Sequence, residues 1–153
     1  MDAELINAFI DTTRYVLETM ASTKAQAGEP YLKKDQVALG DVSSVIGLTG
    51  ESTGIMSVTF TEKGILPIVS NMVGEEMKEL NEEIQDAVGE IGNMISGQAR
   101  QKLKEHGRSL QAAIPTVITG KNHTITRVTK APVIAIPFST VNGEFTIEVC
   151  FEE

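Results

Sequence analysis

Residues 42–60 read VSSVIGLTGESTGIMSVTF, and this stretch decides the fold. It contains two runs rich in β-branched and apolar residues, 45–49 and 55–60, separated by a short connection with glycine at both ends. Two such runs joined in this way predict a β-hairpin. Neighbouring strands are therefore expected to be antiparallel.

The C-terminal part of the chain has the same character. Four further runs predict strands, at residues 114–119, 124–129, 133–138 and 145–151. Asn142-Gly143 lies between the last two runs and is typical of a type I′ hairpin turn. In the last run, Phe145, Ile147, Val149 and Phe151 alternate with Thr146, Glu148 and Cys150. This alternation predicts one face on a core and one more hydrated face.

Helical periodicity predicts three helices. The first covers residues 3–23 after Asp2 as a cap, and a short second helix follows Thr61 and stops at Gly74. The second helix is expected to tolerate Pro67 only near its first turn. The longest runs from about Asn81 to residue 105 and ends at Gly107.

These elements predict an α+β fold. We expect one domain over residues 1–153, with a mainly antiparallel sheet of about six strands. The long central helix and two further helices are expected on one face of this sheet. No internal repeat of fixed period is evident, and residues 37–39 are the only hint of a strand before residue 42.

Composition limits the classes of function. The chain has 153 residues, 41% hydrophobic and 22% charged, and no apolar run approaches the ~18–20 residues of a membrane span. Its formal net charge of -8 has the wrong sign for binding nucleic acid. Cys150 is the single cysteine, and the N-terminus lacks the pattern of a signal peptide. We expect a cytoplasmic protein without nucleic-acid or membrane partners, and a half-buried structural thiol at Cys150.

The long helix carries a polar stripe. Its members are spaced by three or four residues: Asp86, Glu90, Asn93, Gly97 and Arg100. A solvated helix face explains such a stripe in most acidic helices. Asn93 argues against this explanation, because asparagine is a mediocre helix former in mid-helix. Gly97 leaves room for another molecule to approach.

A second flank of the same helix is rich in small residues. Gly89 and Gly92 lie there with Ser96 and Ala99. Glycine within a helix costs ~1 kcal/mol relative to alanine, so these glycines predict close approach of another backbone. The first helix is the expected neighbour.

The segment Asp86-Ala-Val-Gly-Glu90-Ile-Gly-Asn93-Met-Ile-Ser-Gly97 resembles the D/S-x-x-x-E-x-x-N signature of the CheC/CheX/FliY family of chemotaxis phosphatases. The first helix and the hairpin with Gly47-Leu-Thr-Gly50 and Gly54 are also similar to CheX-type members. The resemblance implies an enzyme that dephosphorylates the aspartyl phosphate of a CheY-type response regulator. It further implies a homodimer, and single-motif chains resemble CheX-type rather than CheC-type members.

By this resemblance, Glu90 and Asn93 are the functional pair. Asn93 is expected to orient the attacking water, while Glu90 pairs with a receiver lysine. Asp86 is an accessory motif position, and Gly97 and Met94 are expected at the partner-binding rim. The chain needs no cofactor of its own, since the divalent metal, Mg, would belong to the receiver.

Other interpretations of the sequence remain open. The same fold could be a noncatalytic receiver-binding or scaffold domain, or a sheet-mediated dimerisation module. A second E-x-x-N, from Glu4 to Asn7, lacks the flanking motif residues and fits an ordinary helix turn better. His106 and His123 lack the companion ligands of a metal site and are expected at a helix end and a turn.

Overall fold

The computed structural model of the chain describes residues 2–125 and 131–152. Within them lie three helices, α1 (Ala3–Ala21), α2 (Glu62–Val73) and α3 (Glu82–Glu105). The strands are β1 (Gln26–Ala27), β2 (Tyr31–Lys33), β3 (Val42–Gly50), β4 (Thr53–Phe60), β5 (Leu110–Ala112), β6 (Thr116–Thr119), β7 (Val133–Thr140) and β8 (Gly143–Glu152). None of these helices is long and apolar enough to cross a membrane.

All eight strands form one antiparallel sheet, which confirms the predicted α+β class. The order is β1-β7-β8-β4-β3-β5, with β2 also on β7 and β6 also on β3. The sheet has more than the six predicted strands because two short strands, instead of one long strand, lie along the outer side of β7 and of β3. Residues 114–119 contribute only β6. Residue 124 of the predicted 124–129 strand forms an isolated bridge with Val37, and residues 126–129 lie outside the described residues.

The topology contains a repeat that the sequence did not reveal. A helix, two short strands and a long hairpin occur in this order twice, first as α1, β1, β2, β3, β4 and then as α3, β5, β6, β7, β8. The short strands of each half pair with a hairpin strand of the other half: β1 and β2 pair with β7, and β5 and β6 pair with β3. The two long hairpins meet through β4 and β8 at the centre of the sheet.

Three predicted helix caps are confirmed. The side chains of Asp2, Thr61 and Asn81 accept hydrogen bonds from the backbone N–H groups three residues later, at 3.1, 3.1 and 3.0 Å. Each bond satisfies one of the donors that a helix N-terminus leaves without a helical partner. Pro67 lies in the second turn of α2, directly after the first turn near which proline was expected to be tolerated.

The cap at Asp2 also carries charge. Arg108, which follows α3, donates to the Asp2 carboxylate at 2.5 Å. Burial raises the pKa of Asp2. The hydrogen bond from Leu5 N–H and the charge of the Arg108 guanidinium together outweigh this effect, so the pKa of Asp2 lies below its usual value. The lowered pKa means that ionised Asp2 stabilises the fold at pH values above the pKa that Asp2 has in the unfolded chain. This contribution is lost as the pH falls through the pKa of Asp2 in the folded protein.

The turn between β7 and β8 corrects the predicted turn type. Thr140 pairs with Gly143, so the two residues of the turn are Val141 and Asn142. Neither has a positive φ, whereas a type I′ turn requires it at both positions. The hairpin is confirmed, but the turn is not type I′.

The second face of the sheet is also buried, which corrects the expectation for β8. Glu148 and Cys150 are 3% and 1% exposed, although alternation placed them on a hydrated face, and Cys150 was expected to be only half-buried. The chain after β2 and around residues 120–125 crosses this face, with Ala38 N–H donating to the His123 carbonyl at 2.7 Å. Glu148 accepts from Lys33 there, and the Cys150 thiol donates to the Ala131 carbonyl.

Candidate functional site

The apolar face of α3 is buried, and this fixes the orientation of the helix about its own axis. Its side chains with no exposed surface include Ile84, Val88, Ile91 and Ile95. This face packs with the sheet and with α1. The polar stripe therefore points away from the core, with Asp86, Glu90 and Asn93 exposed and Gly97 and Arg100 half-buried.

The two glycines on the small-residue flank of α3 face the sheet and not α1, which corrects the sequence-based expectation. A Cβ atom added at Gly92 would lie 2.3 Å from Ser44 Oγ and 2.8 Å from Ser44 Cβ, on β3. At Gly89 it would lie 3.3 Å from Val117 Cγ2, on β6. Glycine at these positions lets α3 lie close against the sheet edge.

We expect Gly92→Ala and Gly97→Ala to change stability in opposite directions. The added methyl at Gly92 overlaps Ser44, and overpacking of this kind costs about 1–3 kcal/mol. At Gly97 the nearest atom would be an Arg100 guanidinium nitrogen at 3.9 Å, so the substitution gains helix propensity, up to ~1 kcal/mol. Urea denaturation of both variants measures the difference, and equal effects would contradict the packing described for α3.

Glu90 and Asn93 form an accessible pair. Residues three apart on a helix are neighbours, with Cβ atoms roughly 5–6 Å apart. Within the described part of the chain, neither side chain makes a hydrogen bond or an ion pair. The Asn93 backbone carbonyl accepts a hydrogen bond from Ser96 Oγ at 3.1 Å, and this bond does not involve the carboxamide. Both functional groups are thus free to meet another molecule.

The stripe continues into an open cleft beside β5. The cleft has a volume of about 740 Å³ and is lined by Gly97, Arg100, Gln101, Lys104, Glu105, Ser109, Leu110 and Gln111. Arg100 Nε is buried without a hydrogen-bond partner among the described residues. Met94 is half-buried and packs against the core, next to the exposed Asn93. The structure therefore places the whole stripe on one side of α3.

The approach to this face is strongly acidic. Residues 75–90 contain seven acidic side chains against Lys78, a local net charge of -6 within a total of -8. All seven are exposed: Glu75, Glu76, Glu79, Glu82, Glu83, Asp86 and Glu90. Carboxylates near the N-terminus of α3 interact favourably with the helix dipole. Their common exposure also gives this surface a negative potential that favours a basic partner.

The remaining polar candidates have structural contacts. Glu4 lies 3.7 Å from His106 Nδ1 and 3.8 Å from an Arg108 guanidinium nitrogen, so the E-x-x-N of α1 is tied to the end of α3. His123 hydrogen-bonds to Ser43 Oγ at 2.6 Å and to the Gly120 carbonyl at 2.7 Å. Among residues 2–125 and 131–152, no three histidine, cysteine, aspartate or glutamate side chains are grouped to hold a metal ion.

A second concave site lies elsewhere. A groove of about 710 Å³ between the start of α1, the end of α3 and β2 is lined by apolar side chains together with Asp2, Glu51, Ser52, Arg108 and Glu152. It contains none of the stripe residues. Sequence reasoning missed this groove, and it missed Ser44 and Val117, which support α3, because strand alternation does not show which helix residue packs on which strand.

Comparison with known proteins shows extended similarity. The sequence profile described as "Chemotaxis phosphatase CheX" matches residues 42–139. The CheY-P phosphatase CheX of Thermotoga maritima is 30% identical over 123 residues, which cover 80% of this chain and 79% of that protein.

Solved structures show the same relationship. The crystal structure of the chemotaxis protein CheX from Desulfovibrio desulfuricans is 50% identical, covers 97% of this chain and 99% of that chain, and superposes with a TM-score of 0.91. The CheX of the CheX-CheY-BeF3-Mg+2 complex from Borrelia burgdorferi shares the fold at 23% identity, with a TM-score of 0.83 and 97% and 98% coverage.

Proposed function

Because the chain belongs to the CheX family of chemotaxis phosphatases, we propose that it hydrolyses the aspartyl phosphate of a CheY-type receiver with the exposed Glu90 and Asn93 of α3. The observation that carries this proposal is the accessible Glu90/Asn93 pair on the outward face of a rigidly held helix. The protruding face suits a protein substrate whose phosphoryl group lies in a pocket of its own.

Asn93 is the proposed water-orienting residue. In the reaction, a water oxygen forms a bond to phosphorus while the bond between phosphorus and the aspartyl oxygen breaks, which releases inorganic phosphate and the free carboxylate. The Asn93 carboxamide can both donate to and accept from this water. It adds no negative charge beside the phosphoryl oxygens, whereas a carboxylate at this position would. Its contribution is positioning, without a covalent intermediate.

The neighbouring stripe residues bind the receiver in this proposal. Glu90 pairs with a receiver lysine one helical turn from Asn93 and thereby sets the register of the docked helix. Asp86 adds charge a further turn away. Gly97 leaves space for the receiver surface, and Met94 lies at the rim of the contact.

The metal of the reaction belongs to the receiver in this proposal. The Borrelia burgdorferi complex holds Mg together with CheY and BeF3, which supports this assignment. When bound, the cation neutralises phosphoryl oxygens on the receiver side. The chain itself then supplies Asn93 and Glu90 and no cofactor.

We further propose that the protein is a cytoplasmic homodimer, as the family resemblance implies. Exposed sheet edges offer unpaired backbone groups to a second chain. At the β2 edge, Tyr31 and Leu32 are about half exposed, at 47% and 53%. Contact between two such edges would cover these side chains.

Charge reversal by Glu90→Lys is expected to weaken receiver binding. The variant replaces an attraction to a receiver lysine by a repulsion, and close charge pairs at interfaces contribute about 1.5 kcal/mol or more. We expect at least a tenfold higher Kd for a receiver activated with Mg²⁺ and beryllofluoride. Calorimetry measures it, with Glu18→Lys, an exposed glutamate of α1 outside the stripe, as the control.

The same titration tests the acidic surface. Added salt screens exposed charges, with a Debye length of ~8 Å at physiological ionic strength. Wild-type affinity is therefore expected to fall as salt rises, and Glu90→Lys should show a smaller dependence. Affinity that does not change with salt would contradict an electrostatic role of residues 75–90.

The direct test of the function is phosphate release from each phosphorylated receiver of the same organism, with and without the protein. At least one receiver should lose phosphate faster in its presence. Binding to a receiver without acceleration would instead identify a noncatalytic scaffold.

A further inference from the structure

The loop between β5 and β6 carries an apolar side chain that the fold does not use. Ile114 is 89% exposed, while both neighbouring strands are paired with β3. The loop is held in place, since Ala113 N–H donates to the Gly47 carbonyl at 2.9 Å and Pro115 follows directly. A fixed, exposed isoleucine is a candidate contact for a partner.

Neighbouring residues on both sides place this loop near Asn93. Gly89, Asn93 and Gly97 are spaced by four residues and so lie along one ridge of α3. Gly89 faces Val117 of β6, and Gly97 lines the cleft with Gln111 of β5. Along the chain, residues 113–115 lie between Gln111 and Val117, and along α3 Asn93 lies between Gly97 and Gly89. Ile114 is therefore adjacent to the turn that presents Asn93.

The internal repeat supplies a matched comparison. In the other half of the chain, β1 and β2 are separated by Gly28, Glu29 and Pro30, and Gly28 N–H donates to the Pro137 carbonyl at 2.7 Å. Both loops have three residues and end in proline, and Glu29 occupies the position of Ile114. Glu29 is exposed. The same backbone arrangement thus accepts a glutamate, so folding does not require an isoleucine at 114.

We propose that Ile114 is a docking residue for the phosphorylated receiver, contacting an apolar patch next to its phosphorylation site. This inference rests on the proposed function and extends the receiver surface from α3 onto the sheet edge. An apolar side chain beside a polar pair is typical of interfaces, in which few residues supply most of the affinity. Ile114 acts on binding and does not touch the reacting atoms.

The test compares Ile114→Glu and Ile114→Ala with Val141→Glu. Val141 is an equally exposed apolar residue, at 97%, in the β7–β8 turn away from α3. We expect Ile114→Glu to raise both the Kd for the Mg²⁺/beryllofluoride-activated receiver and the KM for phosphorylated receiver about tenfold, with kcat within about twofold. Ile114→Ala should have a smaller effect in the same direction, and Val141→Glu none.

Three outcomes overturn the proposal. If Ile114→Glu binds like wild type while Asn93→Ala is inactive, the proposed function stands and the docking role of Ile114 is wrong. If sedimentation shows that Ile114→Glu lowers the mass of the particle, the residue belongs to a contact with a second copy. If the wild type neither binds nor dephosphorylates any receiver, the proposed function fails and this inference fails with it.

Discussion

Asn93→Ala is expected to abolish the acceleration of phosphate release, with a loss of about a hundredfold or more at saturating receiver, because the attacking water is no longer positioned. The side chain is exposed on α3 and makes no hydrogen bond within the described residues, so its removal leaves no buried group without a partner. The fold should therefore survive unchanged. Water would still reach the phosphoryl group, but without a carboxamide to orient it.

A matched control separates this role from helix effects. Gln98→Ala removes another exposed carboxamide from the same helix, outside the stripe, and should keep wild-type activity. Asn93→Ala should also bind the Mg²⁺/beryllofluoride-activated receiver within a few-fold of wild type. Full activity of Asn93→Ala would reject the assignment, whereas equal loss of activity and binding would make Asn93 a docking residue.

Lys33→Met is expected to destabilise the protein by about 3 kcal/mol. The Lys33 Nζ lies 2.9 Å from Glu148 Oε2 and also donates to the Val37 carbonyl. The two side chains are only 10% and 3% exposed. Breaking such a pair removes the attraction that offset the desolvation of both charges, and the buried Glu148 carboxylate remains. Because Glu148 makes a further interaction, we expect the lower end of the usual range of about 3–5 kcal/mol.

The neighbouring residue supplies the control for this prediction. Lys34→Met removes the same charge from an exposed position and should change the free energy of unfolding by less than about 0.5 kcal/mol. Adding Glu148→Gln to Lys33→Met should restore part of the lost stability, because the amide carries no charge. Urea denaturation of the four proteins measures these values. Similar effects of Lys33→Met and Lys34→Met would show that the buried ion pair contributes little.

The sequence alone determined the elements whose signals are local. Asp2, Thr61 and Asn81 each cap a helix through a bond to a residue three positions away, so spacing along the chain is sufficient to predict them. The two long hairpins are likewise formed by neighbouring segments. The polar stripe of α3 follows from the helical period, and the structure leaves Glu90 and Asn93 exposed as this period predicts.

Only the tertiary structure decided what covers each surface. Alternation along β8 separates two faces, but it cannot show that distant residues cross the second face and bury Glu148 and Cys150. In the same way, Gly89 and Gly92 predict close packing without naming the sheet as the neighbour. The short strands β1, β2 and β5 carry too few residues for a period to be visible, and they form because β3 and β7 offer unpaired edges. Their pairing, and the position of Ile114 beside Asn93, depend on contacts between residues far apart in the chain.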